Sequence, residues 1–306
     1  MESQRIAIFG GTGFLGRHLT GRLLDAGHRL VLVARHASEP AGASETGSLR
    51  LRAGDITERA SVVQAVQGAD TVINLVGAVS LPDPRSYFEL HQSGARYVAE
   101  AAREAKASRL IHVSALGIAA DAPSAADRSK AAGEQAVREA FPEATIVRPS
   151  LVFGDDDHFL NRIAAMARRL PVIPLIGAAT RFQPVHVDDL AEAFAHLLER
   201  TRFTGSTFEL GGPEVYTLRQ LVRMLVTAMG RKRLIAPLPF TLALPLGTLL
   251  GRLPHAPINR EQVMLMMTDK VVDPALPGLA DLDVRPRSLR EWLARHGDQY
   301  RRTTAR

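Results

Sequence analysis

Short apolar runs rich in β-branched side chains recur along the first half of the chain, and between them the apolar positions repeat at helical spacing. Ile6–Phe9, Leu30–Ala34, Leu49–Ala53, Thr71–Leu75, Leu110–Val113 and Thr145–Val147 read as strands, while Gly13–Ala26, Phe88–Lys106 and Asp127–Ala140 read as amphipathic helices. This alternation predicts a parallel sheet covered by helices on both faces. Beyond about residue 150 the pattern loosens into a strand at Thr207–Leu210, helices at Asp189–Arg200 and Leu218–Met229, and Pro-rich connections. No internal repeat is visible.

The run IAIFGGTGFLGRHL places Gly10, Gly13 and Gly16 directly after the first strand and at the opening of a helix. Residues without a Cβ at such a turn let backbone N–H groups approach a pyrophosphate at the positive end of the helix. The spacing is GxxGxxG, a variant of the simplest dinucleotide fingerprint. The expectation is therefore an α/β, Rossmann-type doubly wound sheet in residues 1–150 that binds NAD(P). Residues 151–306 form a smaller C-terminal α/β lobe, some of whose segments return to the sheet.

Strand ends refine the ligand. Where an acidic residue would bind ribose hydroxyls at the end of the second strand, this chain has Ala34 and Arg35. A guanidinium there suits a 2′-phosphate, so NADP(H) is preferred and NAD(H) stays compatible. Asp55 follows the third strand, where a carboxylate can accept from an adenine amino group, and Asn74 to Gly77 close the fourth strand where the cofactor passes.

Composition narrows the classes. The 306 residues are 46% hydrophobic and 23% charged, which excludes disordered and collagenous chains, and the absence of Cys excludes disulfides, thiolate nucleophiles and Cys-ligated metals. The formal charge is +6, with 34 of the 38 basic residues Arg. Aromatics are only 5% and the basic residues are spread along the chain without stacking rings between them, which argues against nucleic acid as a partner. From Arg285 onward seven Arg face only Glu291 and Asp298, a solvated basic helix and tail. Asp155, Asp156, Asp157 and His158 precede a helical run and read as a cap and first turn; no metal is expected. His186, Asp188 and Asp189 read as another helix cap.

The motifs GGTGFLG, AGDIT, INLVG, IHVSALG, RPSLVFG and PVHVDDLAEAF occur here in the order found in the short-chain dehydrogenase/reductase superfamily, and the chain resembles its extended or atypical branch. Within that branch, the runs around GEQAVREAFPEATIVRPSLVFG, RFQPVHVDDLAEAF and MTDKVVDPALPGLADLDVRPRSLREW resemble the nucleotide-binding accessory subunit of respiratory complex I and its bacterial relatives. The resemblance implies a cofactor-binding set of Gly10, Thr12, Gly13, Phe14, Leu15, Gly16, Arg35, Asp55, Ile56, Val76, Gly77, Ser114 and Lys130.

One departure bears on activity. Catalytic members carry a Tyr four residues before a Lys, whose ammonium lowers the phenol's pKa from near 10. Here Lys130 is present and the Tyr position is Ala126. Ser114 ends the fifth strand, but the partner hydroxyl usually comes a residue or two later, where Ala115 and Leu116 stand. Lys130 keeps the family's second role, hydrogen bonding to the nicotinamide ribose, and no catalytic residue is assigned.

Three functions are consistent with these features. The first is a non-catalytic NADP(H)-binding protein, structural or redox-sensing, associated with complex I subunits or a membrane quinone system. The second is an active NAD(P)-dependent reductase or epimerase on a small hydrophobic substrate, and the third a dinucleotide-sensing regulator of a protein partner. The N-terminus carries neither a signal peptide nor a presequence, so the expected location is cytoplasmic, with peripheral attachment to the cytoplasmic face of a bacterial inner membrane as a further possibility. Leu234–Gly251 carries no charge but contains Pro237, Pro239 and Pro245, which would break a spanning helix. Arg231, Lys232 and Arg233 precede it and Arg252 follows, so the stretch suits a headgroup layer, a membrane-bound partner, or packing on the protein's own second lobe.

Overall fold

The computed structural model describes residues 3–35, 47–81, 83–251 and 258–301. Seven strands, all parallel, form the central sheet: β1 (Arg5–Phe9), β2 (Arg29–Ala34), β3 (Leu49–Ala53), β4 (Thr71–Asn74), β5 (Arg109–Val113), β6 (Thr145–Pro149) and β7 (Thr207–Leu210). Their order is β7-β6-β5-β4-β1-β2-β3, so the chain reverses direction between β1 and β4. In open parallel sheets a ligand crevice lies at such a switch point, beyond the carboxyl ends of the strands.

Strand residues are apolar on both faces because both faces are covered. Ala7, Phe9, Val31, Val33 and Val72 join one core layer, beneath α2 (Arg59–Ala65), α4 (Ala95–Glu104) and α5 (Ala125–Ala140). Their neighbours Ile6, Ile8, Leu30, Leu32 and Ile73 point the other way, onto α1 (Phe14–Asp25) and α7 (Val187–Glu199). Period-two alternation thus decides which layer each side chain enters. A third core, around Phe153, Leu160, Leu221, Leu225, Trp292 and Tyr300, unites α6 (His158–Arg169), α8 (Leu218–Ala228) and α11 (Leu289–His296) in the C-terminal lobe.

The helix expected over Phe88–Lys106 has a different path. It starts at α3 (Pro84–Phe88), with Asp83 as N-cap and Pro84 in its first turn, passes through a π-helical turn at Glu89–Gly94, and becomes α4. Close approach explains the wide turn. A Cβ at Gly94 would lie 2.8 Å from Ile56 Cγ1, and one at Gly133 of α5 would lie 2.0 Å from the His91 carbonyl oxygen. The π turn brings the backbone of His91 onto α5.

Both acidic clusters act as caps. Asp157 is the N-cap of α6, accepting from the Leu160 N–H at 2.6 Å. At α7 the N-cap is the His186 ring, which accepts from the Asp188 N–H, while buried Asp189 takes the Arg287 N–H at 2.7 Å and its guanidinium at 2.6 Å.

Arg148 on β6 donates to Glu134 of α5 through Nε and Nη2, at 2.8 and 2.7 Å, and to Glu209 of β7 at 3.2 Å. Both carboxylates are buried, and Glu209 also accepts from the Asp273 N–H at 2.7 Å. Removing the cation leaves two buried negative charges facing each other, which costs about 3–5 kcal/mol. Arg148→Ala is therefore expected to lower the unfolding free energy by about that amount in a denaturant titration; a loss near 0.5 kcal/mol, typical of an exposed pair, would contradict the role given to it.

Candidate functional site

The glycine turn between β1 and α1 is built by close contact. Gly10 has φ +78°, and a Cβ there would lie 3.3 Å from the backbone of Leu75 and Val76 at the end of β4. At Gly16 it would lie 2.4 Å from the Gly10 carbonyl oxygen and at Gly13 3.2 Å from the same atom. Gly11, which the spacing did not single out, has Leu32 Cδ2 2.6 Å from its Cβ position. These approaches press the start of α1 onto the strand ends. Gly13 caps α1 without any side-chain hydrogen bond, which leaves the first-turn N–H groups to a ligand.

Thr12 is exposed at this turn; Phe14 and Leu15 are half-buried, Phe14 over Gly154 and Leu15 on the core. Arg35 stands exposed in the turn that ends β2. One carboxylate oxygen of Asp55 accepts from the Thr57 N–H and hydroxyl, at 2.9 and 2.8 Å, which fixes the turn after β3. The Ile56 side chain goes into the core under Gly94. The Val76 N–H donates to Asn74 Oδ1 at 3.1 Å, and Gly77 lies beside the Lys130 ammonium, 3.6 Å from the position of a Cβ.

Lys130 projects from α5 into a small cavity lined also by Asn74, Val76, His91 and His112. Burial pushes its ammonium below the ordinary lysine range; Asp127 and Glu134 oppose this and Lys270 reinforces it. Both histidines are neutral. His91 Nε2 accepts from the Ala78 N–H at 3.0 Å, so its proton is on Nδ1 and goes to Ser129 Oγ at 2.8 Å, which donates in turn to the Ala126 carbonyl. Asn74 Nδ2 donates to His112 Nδ1 at 3.2 Å. This network, absent from the sequence reading, orients the loop after β4 around Lys130.

The proton-donor position is closed. Ala126 is 1% exposed and packs with Ala125 and Tyr87, against which Leu81 and Leu265 also lie. The Tyr87 hydroxyl accepts from the Leu81 N–H at 2.9 Å. Asp127 is held by Lys270, whose Nζ lies 3.2 Å from each carboxylate oxygen. Leu116, at the usual hydroxyl position, is fully buried, whereas Ser114 is buried with no protein partner for its Oγ.

The segment bearing Lys270 crosses this end of the sheet as a strap. Its backbone bonds to Arg181 and Gln183 and accepts from Ser150 Oγ at 2.8 Å, and Asp269 and Thr268 press on Gly117. The residues fit a dinucleotide: a glycine cradle that any Cβ would fill, an uncapped helix start, a buried hydroxyl without a partner and a lysine at the expected station.

Buried neutral histidines make the fold sensitive to acid. Burial holds His91 down to about 3 and His112 to about 4, against 6.5 when exposed. As the pH falls through 6.5 the unfolded chain takes up protons that the folded chain refuses, so stability declines from there to about pH 4, by about 1.4 kcal/mol per pH unit per histidine. His91→Gln should show a shallower fall in melting temperature over that window; a slope equal to the wild type's would contradict the neutral assignment.

Comparison with known proteins gives this geometry its context. The signature of the NAD dependent epimerase/dehydratase family matches residues 6–211. The chain is 34% identical over 300 residues to NADH dehydrogenase [ubiquinone] 1 alpha subcomplex subunit 9, mitochondrial, of Mus musculus, covering 94% of this chain and 79% of that protein. It is 35% identical over 237 residues to a ceramide reductase of Caulobacter vibrioides, covering 76% of this chain and 73% of the relative. Among solved structures, the UDP-glucose 4-epimerase of Thermus thermophilus in complex with NAD superposes with a TM-score of 0.70 at 21% identity, over 97% of this chain and 99% of that one. With its switch-point crevice, glycine turn and family signature over two-thirds of its length, the chain belongs to the NAD dependent epimerase/dehydratase family, an NAD(P)-binding branch of the short-chain dehydrogenase/reductases.

Proposed function

We propose that the protein retains NADP(H) as a structural or redox-sensing ligand, in association with respiratory complex I or a membrane quinone system, and does not cycle it on simple carbonyl substrates. The closed proton-donor position carries this reading: Ala126 lies in an apolar cluster with Tyr87, and the adjacent carboxylate is occupied by Lys270. Hydride transfer to a carbonyl leaves an alkoxide, and general-acid help there is worth about 10²–10⁴ in rate. Neither Ala126 nor Leu116 can give it.

The residues assigned to binding in this reading are as follows. Gly10, Thr12, Gly13, Phe14, Leu15 and Gly16 would hold the pyrophosphate, Arg35 the ribose 2′-phosphate, and Asp55 with Ile56 the adenine end. Val76 and Gly77 would flank the cofactor's path, with Ser114 and Lys130 at the nicotinamide ribose. When bound, the dinucleotide supplies hydride chemistry; the chain's residues bind and shield it. Likeness to the mouse complex I subunit supports the respiratory setting; the location proposed with it is the cytoplasmic face of a bacterial inner membrane.

A second reading, a reductase acting on a hydrophobic carbonyl substrate, is favoured by the likeness to the ceramide reductase. In that reading the Lys130 ammonium, its pKa lowered by burial, donates the proton.

NADPH is expected to raise the melting temperature with concentration, and Arg35→Ala to weaken NADPH alone by about 1–3 kcal/mol, the scale of a charged hydrogen bond. Equal wild-type affinity for NADPH and NADH would sink the phosphate assignment. Over a panel of simple and long-chain carbonyls no sustained turnover is expected. Multiple turnovers abolished by Lys130→Ala would replace the first reading with the second.

A further inference from the structure

Pro239 divides the uncharged Leu234–Gly251 stretch into a strand (Leu234–Leu238), paired in parallel with Val172–Ile176, and helix α9 (Phe240–Leu250). No helix among the described residues is long and apolar enough to cross a membrane. The helix instead has two unlike sides. Ala243 and Gly247 are buried, and a Cβ on Gly247 would lie 3.1 Å from Val263 of α10 (Arg260–Leu265), so small residues bring α9 close to its neighbour. Leu242, Leu246 and Leu249, spaced four and three residues apart on one face, are 59%, 42% and 62% exposed. Leu234 and its register partner Val172 are also exposed.

Charge distinguishes this surface from an ordinary apolar patch. Between Glu214 and Glu261 the sequence has seven Arg and Lys and no acid, an excess larger than the whole chain's formal +6. Basic residues occur throughout the protein, yet this stretch of sequence alone carries an excess above the chain's net charge; two of the seven, Arg219 and Arg223, lie on α8. Lys232 and Arg260 are exposed at opposite ends of the strand–helix unit, and Arg231 is half-exposed. Arg233 donates to the Ala167 and Lys232 carbonyls, and Arg252 lies outside the described residues. The bounding acid Glu261 is turned inward, accepting from the Ala125 N–H at 2.7 Å.

We propose that α9 docks the protein on a lipid bilayer surface bearing anionic headgroups, with Leu242, Leu246 and Leu249 entering the acyl boundary and Lys232, Arg231 and Arg260 meeting the phosphates. An uncharged helix with an unpartnered leucine face favours the boundary, and the acid-free basic flanks select a negative surface. Because α10 anchors α9 and also contacts the first residue of α5 through Glu261, docking seats the dinucleotide crevice at a fixed height above the membrane. The proposal requires neither bound nucleotide nor turnover.

Flotation of the full chain with phosphatidylcholine vesicles, with and without phosphatidylglycerol, tests it. The wild type should float with the anionic vesicles at low salt and be released as salt rises. Leu242→Glu/Leu246→Glu should reduce partitioning by about tenfold or more, and Lys232→Ala/Arg260→Ala by about fivefold per charge. Both variants change exposed side chains and should keep the wild-type melting temperature and its NADPH response, which reads the dinucleotide site separately. Absence of wild-type flotation at low salt, or flotation of the leucine variant equal to the wild type's, would overturn the proposal. So would a wild-type dimer that the leucine variant splits while vesicle binding stays unchanged, which would assign the face to a second copy.

Discussion

A single guanidinium holds together parts of the chain that sequence order keeps far apart. Arg148 sits at the end of β6 with Glu134 of α5 on one side and Glu209 of β7 on the other, and Glu209 in turn takes the Asp273 N–H. Buried charges of both signs are stable only in company. The sheet edge, the helix that carries Lys130 and the strap that carries Lys270 must therefore assemble in one arrangement. The two carboxylates hold the guanidinium firmly in its charged form, well above the ordinary arginine range. Every feature of the crevice on the β4–β5–β6 side inherits its position from this centre.

The crevice itself is divided by chemistry. At the β1–α1 turn the backbone is left bare and nothing larger than glycine fits at Gly16. At the α5 end, the surroundings of Lys130 are methyl groups, a buried phenol bonded to a main-chain amide, and a carboxylate paired with the Lys270 ammonium. The neutral His91–Ser129–Ala126 chain ends on a carbonyl and offers no exit to solvent chemistry. The glycine turn and the α5 cluster are built by different elements and share no hydrogen bond among the described residues.

Local signals announced most of the sheet, because strand alternation and helical periodicity are properties of neighbours in sequence. β3 and β7 have the bounds that periodicity predicts, and the glycine turn lies between β1 and α1 as its place in the sequence implies. Contacts made by topology were not legible. His91 reads as one polar residue in a helix until the π turn brings it against Ser129, and Gly133 reveals its purpose only once the His91 carbonyl lies on it. Nothing near Asp127 in sequence hints at Lys270. The apolar 234–251 stretch was visible as composition, but its division into strand and helix depends on Val172–Ile176 offering an edge to pair with.

The ion pair between Asp127 and Lys270 spans 143 residues and so sets a timetable for folding. As the chain emerges from the ribosome, β1 to β6 can form while the outer edge of β6 is unpaired, until β7 arrives some sixty residues later. Asp127 must wait longer still for the ammonium that binds both of its oxygens. The last strap residues then bring Lys270 onto Asp127 and their backbone onto Ser150, Arg181 and Gln183, so this corner of the sheet cannot reach its final form until that part of the chain is made.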